Sequence, residues 1–355
     1  MAGSGAAQSI IETEAFAAAV ARRASYALAK VGSRCEVFSI GGLGFQLIGP
    51  TEDRGPWLGR AFPRRSSGLG DRSLPTSLHQ LLVWDGTGED ELPPNPPWGP
   101  ADQTQFGLIG GFSDQPIRCA FDIGTNSLSV YNFADDVSHT WFPSIAALST
   151  WVTAIPFRTV LSWHCNLHGM QLVHGAAVAL GGKAALLAGQ GGSGKTTTVL
   201  ASALAGLGYI GDDYCAVEPG NATIHMVYRT AKMWRPTLNL LPALEPLIVN
   251  PRELPDKKGI IFFEDDDLTL VHSAQLAAIL LPRFGTERGT KVLPGTHAEA
   301  IKAILPSTIL GLLGGTSVTP RLIMQLVHSV PVFHLELGTD VEAVPDAIAQ
   351  LLETV

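Results

Sequence analysis

Cysteine is scarce in this sequence, with four residues among 355. Cys35, Cys119, Cys165 and Cys215 are widely separated, and no Cys-x-x-Cys pair occurs. Disulfide frameworks and structural zinc sites both need closely spaced ligands. We therefore expect four reduced cysteines, most of them buried.

The sequence also has few basic residues and lacks long apolar runs. The chain has 24 Lys and Arg against 32 Asp and Glu, a formal net charge of −8. A nucleic-acid-binding protein normally shows a basic balance, so we expect no nucleic-acid partner. No apolar run is long enough to cross a bilayer, and the first residues do not resemble a secretory signal. These absences predict a cytoplasmic protein without a membrane partner.

What is present is an ordinary globular composition, 46% hydrophobic and 16% charged, in a chain long enough for two or three domains. Residues 1–150 are predicted to form a smaller β-rich α+β domain, a candidate for substrate binding. We expect a helix at 11–31, strands at 37–48, 81–84, 117–123 and 128–133, and long loops at 50–76 and 85–105. The turn at 124–127 should join the last two strands into a hairpin.

A helical connector at 151–168 is predicted to lead into an α/β domain at 169–355, since apolar strand and helix patterns alternate there. The expected strands are 173–180, 184–188, 209–211, 214–217, 223–228, 276–281, 290–293 and 332–337. The expected helices follow the loop at 189–196 and occupy 297–304, 319–328 and 341–354.

The segment 189–196 matches the phosphate-loop pattern G-x-x-x-x-G-K-[ST], between an apolar strand and a helix. Its glycines let backbone N–H groups converge on an anion, and the helix N-terminus adds its dipole. Lys195 would contact the β- and γ-phosphates of ATP, and the Thr196 hydroxyl would bind Mg²⁺. The alternative is a glycine-rich turn with an exposed lysine. The predicted nucleotide-binding residues are Gly189, Gln190, Gly191, Gly192, Ser193, Gly194, Lys195, Thr196 and Thr197.

Two carboxylates, Asp212 and Asp213, follow the helix after a short predicted strand. A carboxylate at a strand end beside a phosphate loop can hold Mg²⁺, and a second can accept the proton of an attacking hydroxyl. The alternative for two adjacent aspartates is a solvated bend. His174-Gly175, at the head of a strand before the loop, would by itself be a partly buried core histidine.

Taken together, His174-Gly175, the phosphate loop and Gly211-Asp212-Asp213 resemble the catalytic domain of the HPr serine kinase/phosphorylase family in order and spacing. The resemblance covers residues 165–355. It is strongest with the diverged kinases found beside gene clusters for ribosomally made peptides, lasso peptides in particular. Supporting segments are 228–232, 256–258, 281–283, 306–308 and 331–338.

The resemblance implies roles for individual residues. His174 and Asp213 would line the transfer site, with Asp213 as the base, Asp212 near the metal and Lys195 as the third catalytic residue. Lys232 and Arg235 would reach toward phosphate or substrate. The alternative for these last two is a pair of solvated surface charges.

The predicted function is therefore an ATP-dependent, Mg²⁺-requiring kinase that phosphorylates a hydroxyl, by the resemblance a serine of a precursor peptide. The alternatives are a kinase of a small-molecule hydroxyl, such as a sugar or polyol, and a nucleotide-responsive protein without transfer chemistry. The Glu-Val-Arg-Gly-Leu-Gly type signature of the bifunctional enzymes is not visible, which argues against phosphorylase activity. Those enzymes are hexamers, so a homo-oligomer is a further expectation, although the different first domain leaves the state open.

Overall fold

The computed structural model describes residues 3–51, 55–64, 77–103, 109, 116–254, 256–312 and 317–355. Of the predicted loops at 50–76 and 85–105, the structure leaves residues 52–54, 65–76 and 104–105 outside the described residues. The chain divides into two compact units. Unit 1 comprises Met1–Gly59, Arg64–Trp163 and Leu312–Ser317, and unit 2 comprises Arg60–Pro63, His164–Gly311 and Val318–Val355.

Unit 1 is a six-stranded sheet with a long helix against it. Its elements are α1 (Gly3–Val31), β1 (Ser33–Ile40), β2 (Leu43–Pro50), β3 (Leu78–Asp85), β4 (Ile117–Asp122), β5 (Ser127–Asn132), β6 (Val137–Phe142), α2 (Thr150–Ala154) and the first part of α3 (Arg158–Leu167). The strand order is β1-β2-β3-β6-β5-β4, and only the β2–β3 and β3–β6 pairs are parallel.

One face of α1 forms the core of unit 1 with the sheet. The buried positions recur at helical spacing and meet buried residues of the strands, Trp84, Val130 and Trp141 among them. The helix residues are Phe16, Ala17, Val20, Ala24, Ala27 and Leu28. The predicted helix at 11–31 and the predicted hairpin at 124–127 are both confirmed.

Strand β6 was not predicted, and no element was expected between the strand at 128–133 and the helical connector. The strand lies between β3 and β5 and is buried along nearly its whole length. A strand buried on both faces loses the alternation that identifies a half-exposed strand. Its polar residues Ser138, His139 and Thr140 also interrupt the apolar run from which a buried strand would be predicted. The helical character of 151–168 is confirmed by α2 and α3.

Unit 2 is a mixed α/β structure, so the predicted α/β class is confirmed. Its strands are β7 (Gln171–His174), β8 (Ala176–Leu180), β9 (Lys183–Leu187), β10 (Gly208–Gly211), β11 (Tyr214–Glu218), β12 (Thr223–Met226), β13 (Thr230–Met233), β14 (Gly259–Phe262), β15 (Ser273–Phe284), β16 (Lys291–Pro294) and β17 (Val332–Leu337). Its helices are α4 (Lys195–Leu204), α5 (Arg235–Leu240), α6 (His297–Gly311), α7 (Thr319–Ser329) and α8 (Ala343–Thr354).

The main sheet of unit 2 runs β10-β8-β9-β15-β12-β11-β7, and β17 pairs with both β15 and β16. The pairs β9–β15 and β15–β17 are parallel, so the carboxyl ends of these three strands meet at one edge. Strands β13 and β14 form a separate antiparallel pair. The buried core consists mainly of Ala, Val, Leu and Ile side chains from the sheet and the helices.

In unit 2, one predicted strand was wrong and three elements were missed. The single strand expected at 173–180 is broken at Gly175, where an added Cβ would lie 2.9 Å from the Leu187 carbonyl oxygen. The break lets β7 pair with β11 while β8 pairs with β9. Elements β13, α5 and β14 were not predicted, and the first two carry Lys232 and Arg235.

The cysteines match expectation: all four are free, with Cys119, Cys165 and Cys215 buried and Cys35 exposed. Among the described residues, no helix combines the length and apolar character that crossing a membrane would require.

Candidate phosphate-binding site

The loop at 189–196 connects the carboxyl end of β9 to the first turn of α4. Gly192 and Gly194 have φ angles of 81° and 98°, in the left-handed region that glycine adopts without strain. An added Cβ on Gly192 would meet nothing within 4 Å, whereas one on Gly194 would lie 2.6 Å from the Leu337 side chain. Glycine is therefore needed at both positions for backbone conformation, and at Gly194 for packing as well.

Two polar side chains of the loop are suited to an anion. The Ser193 hydroxyl oxygen is buried and has no hydrogen-bond partner among the described residues. Lys195 is 8% exposed, and its Nζ donates to the carbonyl oxygens of Gly189 at 2.7 Å and Gln190 at 3.0 Å. Burial lowers the pKa of Lys195, and Asp212 and Asp213 partly offset that effect. The alternative of a turn with an exposed lysine does not fit a lysine so deeply buried.

Asp212 links the first turn of α4 to β13. Its Oδ1 accepts a hydrogen bond from the Thr196 hydroxyl at 2.8 Å, and its Oδ2 accepts one from the Lys232 backbone N–H at 3.2 Å. The residue is 2% exposed. Burial and the neighbouring charge of Asp213 raise the pKa of this carboxyl above its ordinary value. A bound cation would stabilise the ionised form.

Asp213 belongs to a second group of charges in the turn between β10 and β11. Its Oδ2 lies 2.6 Å from Lys232 Nζ, and its Oδ1 lies 3.9 Å from His174 Nε2. The φ angle of Asp213 is 70°, a left-handed conformation that aspartate tolerates better than most residues. Its carbonyl oxygen accepts the Gly175 N–H at 3.1 Å, which fixes the turn beside His174.

The charges around Asp213 decide its protonation state. Burial raises the pKa of the carboxyl, but the Lys232 ammonium, the interaction with His174 and the Lys258 charge together outweigh burial. The pKa of Asp213 therefore lies well below its ordinary value, and the group is ionised at neutral pH. Because Asp212 is buried and bonded, and Asp213 is only 15% exposed and paired with Lys232, the interpretation of Asp212-Asp213 as a solvated bend is wrong.

Lys232 and Arg235 are in contrasting environments. Lys232 is 1% exposed in β13, so its interpretation as a solvated surface charge is wrong. Arg235 is about half exposed at the start of α5 and pairs with Glu245 at 2.8 Å. Its substrate role stays a prediction without a contact to the aspartates. Thr197, predicted to contact the nucleotide, shares a hydrogen bond of 2.8 Å with the Thr237 hydroxyl.

Lys258 was not predicted as a site residue. Its charge lowers the pKa values of Asp212 and Asp213 and also those of Lys195 and Lys232. Its Nζ lies 6.0 Å from the ring centroid of Trp234, which is half exposed. The segment 256–258 supported the family resemblance, but its place beside the loop depends on β14, which the sequence did not reveal.

The residues present fit a nucleoside triphosphate with its magnesium ion. A hydroxyl and a carboxylate, from Thr196 and Asp212, are oxygen ligands of the kind that Mg²⁺ takes. The partnerless Ser193 hydroxyl and the buried Lys195 ammonium would meet phosphate oxygens at the N-terminus of α4.

Comparisons with known proteins found similarity among solved structures. No family model matches the chain, and no curated protein matches it. The chain is similar to the Hpr(Ser) kinase/phosphatase from Coxiella burnetii. The identity with that solved structure is 12% and the TM-score 0.25, over 52% of this chain and 95% of that chain.

Proposed function

We propose that the protein is an ATP-dependent, Mg²⁺-requiring kinase that transfers the γ-phosphoryl group to a hydroxyl. The observation that carries the proposal is the pairing of two unlike carboxylates next to a phosphate loop. Asp212 bonds the loop threonine, whereas Asp213 is held by Lys232 and faces His174. We infer that one carboxylate would serve a metal ion and the other would accept a proton.

Binding of the triphosphate would fall to the loop and to α4. The backbone N–H groups at the helix N-terminus and the Lys195 ammonium would neutralise phosphate charge. Thr196 and Asp212 would hold Mg²⁺, which supplies further charge neutralisation when bound. Phosphoryl transfer needs little covalent help, so positioning and charge carry most of the rate.

Asp213 would accept the proton of the attacking hydroxyl. It is ionised because of Lys232, and that ion pair together with the left-handed turn holds the carboxylate in one orientation. A weak base suits a loose transition state, in which the oxygen–hydrogen bond breaks late. His174, 3.9 Å away, would orient Asp213 and line the acceptor side.

We further propose that the acceptor is a serine of a precursor peptide in the tailoring of ribosomally made peptides, such as lasso peptides. The support is the order of His174-Gly175, the phosphate loop and Asp212-Asp213, together with the shorter segments after them. This part of the proposal is an analogy between sequences, and it is independent of the geometry of the loop.

The test is incubation of the full chain with γ-labelled ATP, Mg²⁺ and two sets of acceptors, serine-containing peptides and sugars or polyols. Label on a peptide, absent with Lys195→Ala, would support the whole proposal. Label on a polyol alone would make the protein a small-molecule kinase. ATP binding or hydrolysis without any labelled acceptor would leave a nucleotide-responsive protein and overturn the kinase assignment.

A further inference from the structure

Phe284, the last residue of β15, is 73% exposed. No other large hydrophobic side chain among the described residues is more exposed. A solvent-exposed aromatic ring does not contribute the folding free energy that its burial would give. We therefore looked for a function of Phe284 in this position.

The ring of Phe284 lies against the phosphate loop. Its Cζ and Cε1 atoms are 3.8 and 3.9 Å from where a Cβ on Gly194 would stand. The placement follows from the sheet, because β15 runs parallel to β9, whose carboxyl end leads into the loop. Both strands therefore deliver their last residues to the same edge, where ligands of α/β sheets bind.

Phe284 and Asp212 lie beside different residues of the phosphate loop. The Phe284 ring is next to Gly194, the residue before α4, whereas Asp212 bonds Thr196 in the first turn of α4. A triphosphate lying over the loop, with its terminal phosphate at Thr196 and Asp212, would have its nucleoside end on the side of Phe284.

We propose that Phe284 is the stacking platform for the nucleobase of the bound nucleoside triphosphate. The inference rests on the proposed function, since it assumes that the loop binds such a ligand. A flat aromatic face stacks on any base, because every base presents a π-face. The ring alone therefore contributes affinity without distinguishing ATP from GTP.

The experiment compares two ligands by calorimetry on the full chain, Mg²⁺-ATP and inorganic triphosphate with Mg²⁺. Phe284→Ala should weaken ATP binding about tenfold, the loss expected for one base–aromatic stack. Binding of inorganic triphosphate should not change, because that ligand has no base. GTP should lose as much affinity as ATP.

Two further variants make the result specific. Phe284→Trp should restore ATP binding, because it keeps an aromatic face. Met324→Ala, which removes a half-exposed apolar side chain from α7, should leave both ligands unaffected.

Unchanged ATP affinity in Phe284→Ala would overturn the inference. An equal loss for inorganic triphosphate would also overturn it, because the ring would then act through the loop. A wild-type protein that binds neither ligand would overturn the proposed function along with this inference, whereas the first two outcomes leave the proposed function standing.

Discussion

The phosphate loop has charged neighbours at Thr196 and apolar neighbours at Gly194. Near Thr196, Asp212 and Lys232 are buried, Asp213 is 15% exposed, and the three groups bond one another or the loop. On the side of Gly194, the loop meets the apolar side chains of Leu337 and Phe284, and the second is mostly exposed.

This contrast separates two physical tasks. Burying charges costs free energy even when they are paired, so a buried cluster is weak evidence for stability and better evidence for chemistry. An exposed aromatic ring has a smaller cost in folding free energy than a buried charge, and it can contribute only an apolar contact surface to a ligand. The charged side is therefore expected to control transfer and the apolar side to control affinity.

Lys195→Ala should have the largest effect. Removing the buried ammonium takes charge away from the place where the β- and γ-phosphates would lie, and kcat/KM should fall by about 10³-fold or more. Steady-state transfer assays on labelled acceptor would measure it. Lys291→Ala, which removes an exposed lysine paired with Glu287, is the matched control and should retain full activity. Near-normal turnover in Lys195→Ala would contradict the role of the loop.

Asp213→Asn should reduce transfer by about 10²–10⁴-fold while ATP binding stays within a few-fold of wild type. Asparagine also adopts the left-handed conformation at φ 70°, so the backbone turn should survive. Rapid-quench transfer and equilibrium ATP binding, measured on one preparation, would separate the two effects.

Asp212→Asn is the matched comparison for Asp213→Asn, because it changes the neighbouring carboxylate. Its main effect should be a higher Mg²⁺ requirement, since the altered carboxylate bonds the loop threonine. Full activity in Asp213→Asn would show that the base has been assigned to the wrong residue.

Lys232→Met tests how the ion pair between Lys232 and Asp213 affects the free energy of unfolding. The substitution leaves Asp213 in a buried site without its ammonium partner, and stability should fall by about 3 kcal/mol. Chemical denaturation would measure the loss. Adding Asp213→Asn to Lys232→Met should recover most of it, because no unpaired charge then remains. A double variant as unstable as the single one would mean that packing around Lys232, and not its charge, is responsible.

The sequence revealed the parts of this site that depend on local spacing. The phosphate loop, with its strand and helix, could be predicted because glycines and Lys195 within eight residues have a specific backbone consequence. Asp212 and Asp213 could be predicted from their position one helix later. In unit 1, the face of α1 was visible for the same reason, as a helical period of apolar residues.

The contacts that depend on distant pairing could not be predicted from spacing. Lys232 was named as a site residue from the family resemblance alone, and its ion pair with Asp213, 19 positions earlier, depends on the unpredicted strand β13. Lys258 likewise depends on β14, a four-residue strand with no polar alternation. Phe284 was unremarkable in sequence because an apolar residue at a strand end is expected to be buried. Its exposure beside Gly194 is a property of the parallel β9–β15 pairing.

Unit 1 contains a buried ionisable group of a different kind, and it gives the smallest predicted effect. His139 in β6 is 7% exposed, and burial lowers its pKa from 6.5 to about 4. The folded state thus binds its proton less readily than the unfolded state. The stability due to neutral His139 is complete above about pH 6.5 and is lost as pH falls toward 4.

Between pH 7 and pH 5, wild type should therefore lose about 2 kcal/mol more than His139→Gln, because 1.36 kcal/mol corresponds to each pKa unit traversed. Urea denaturation of both proteins at the two pH values, followed by a probe in unit 1, would measure the difference. Equal losses would show that the folded and unfolded states bind the His139 proton with the same affinity. A loss confined to wild type would show that unit 1 buries an ionisable group as packing, at a cost in stability between pH 7 and pH 5.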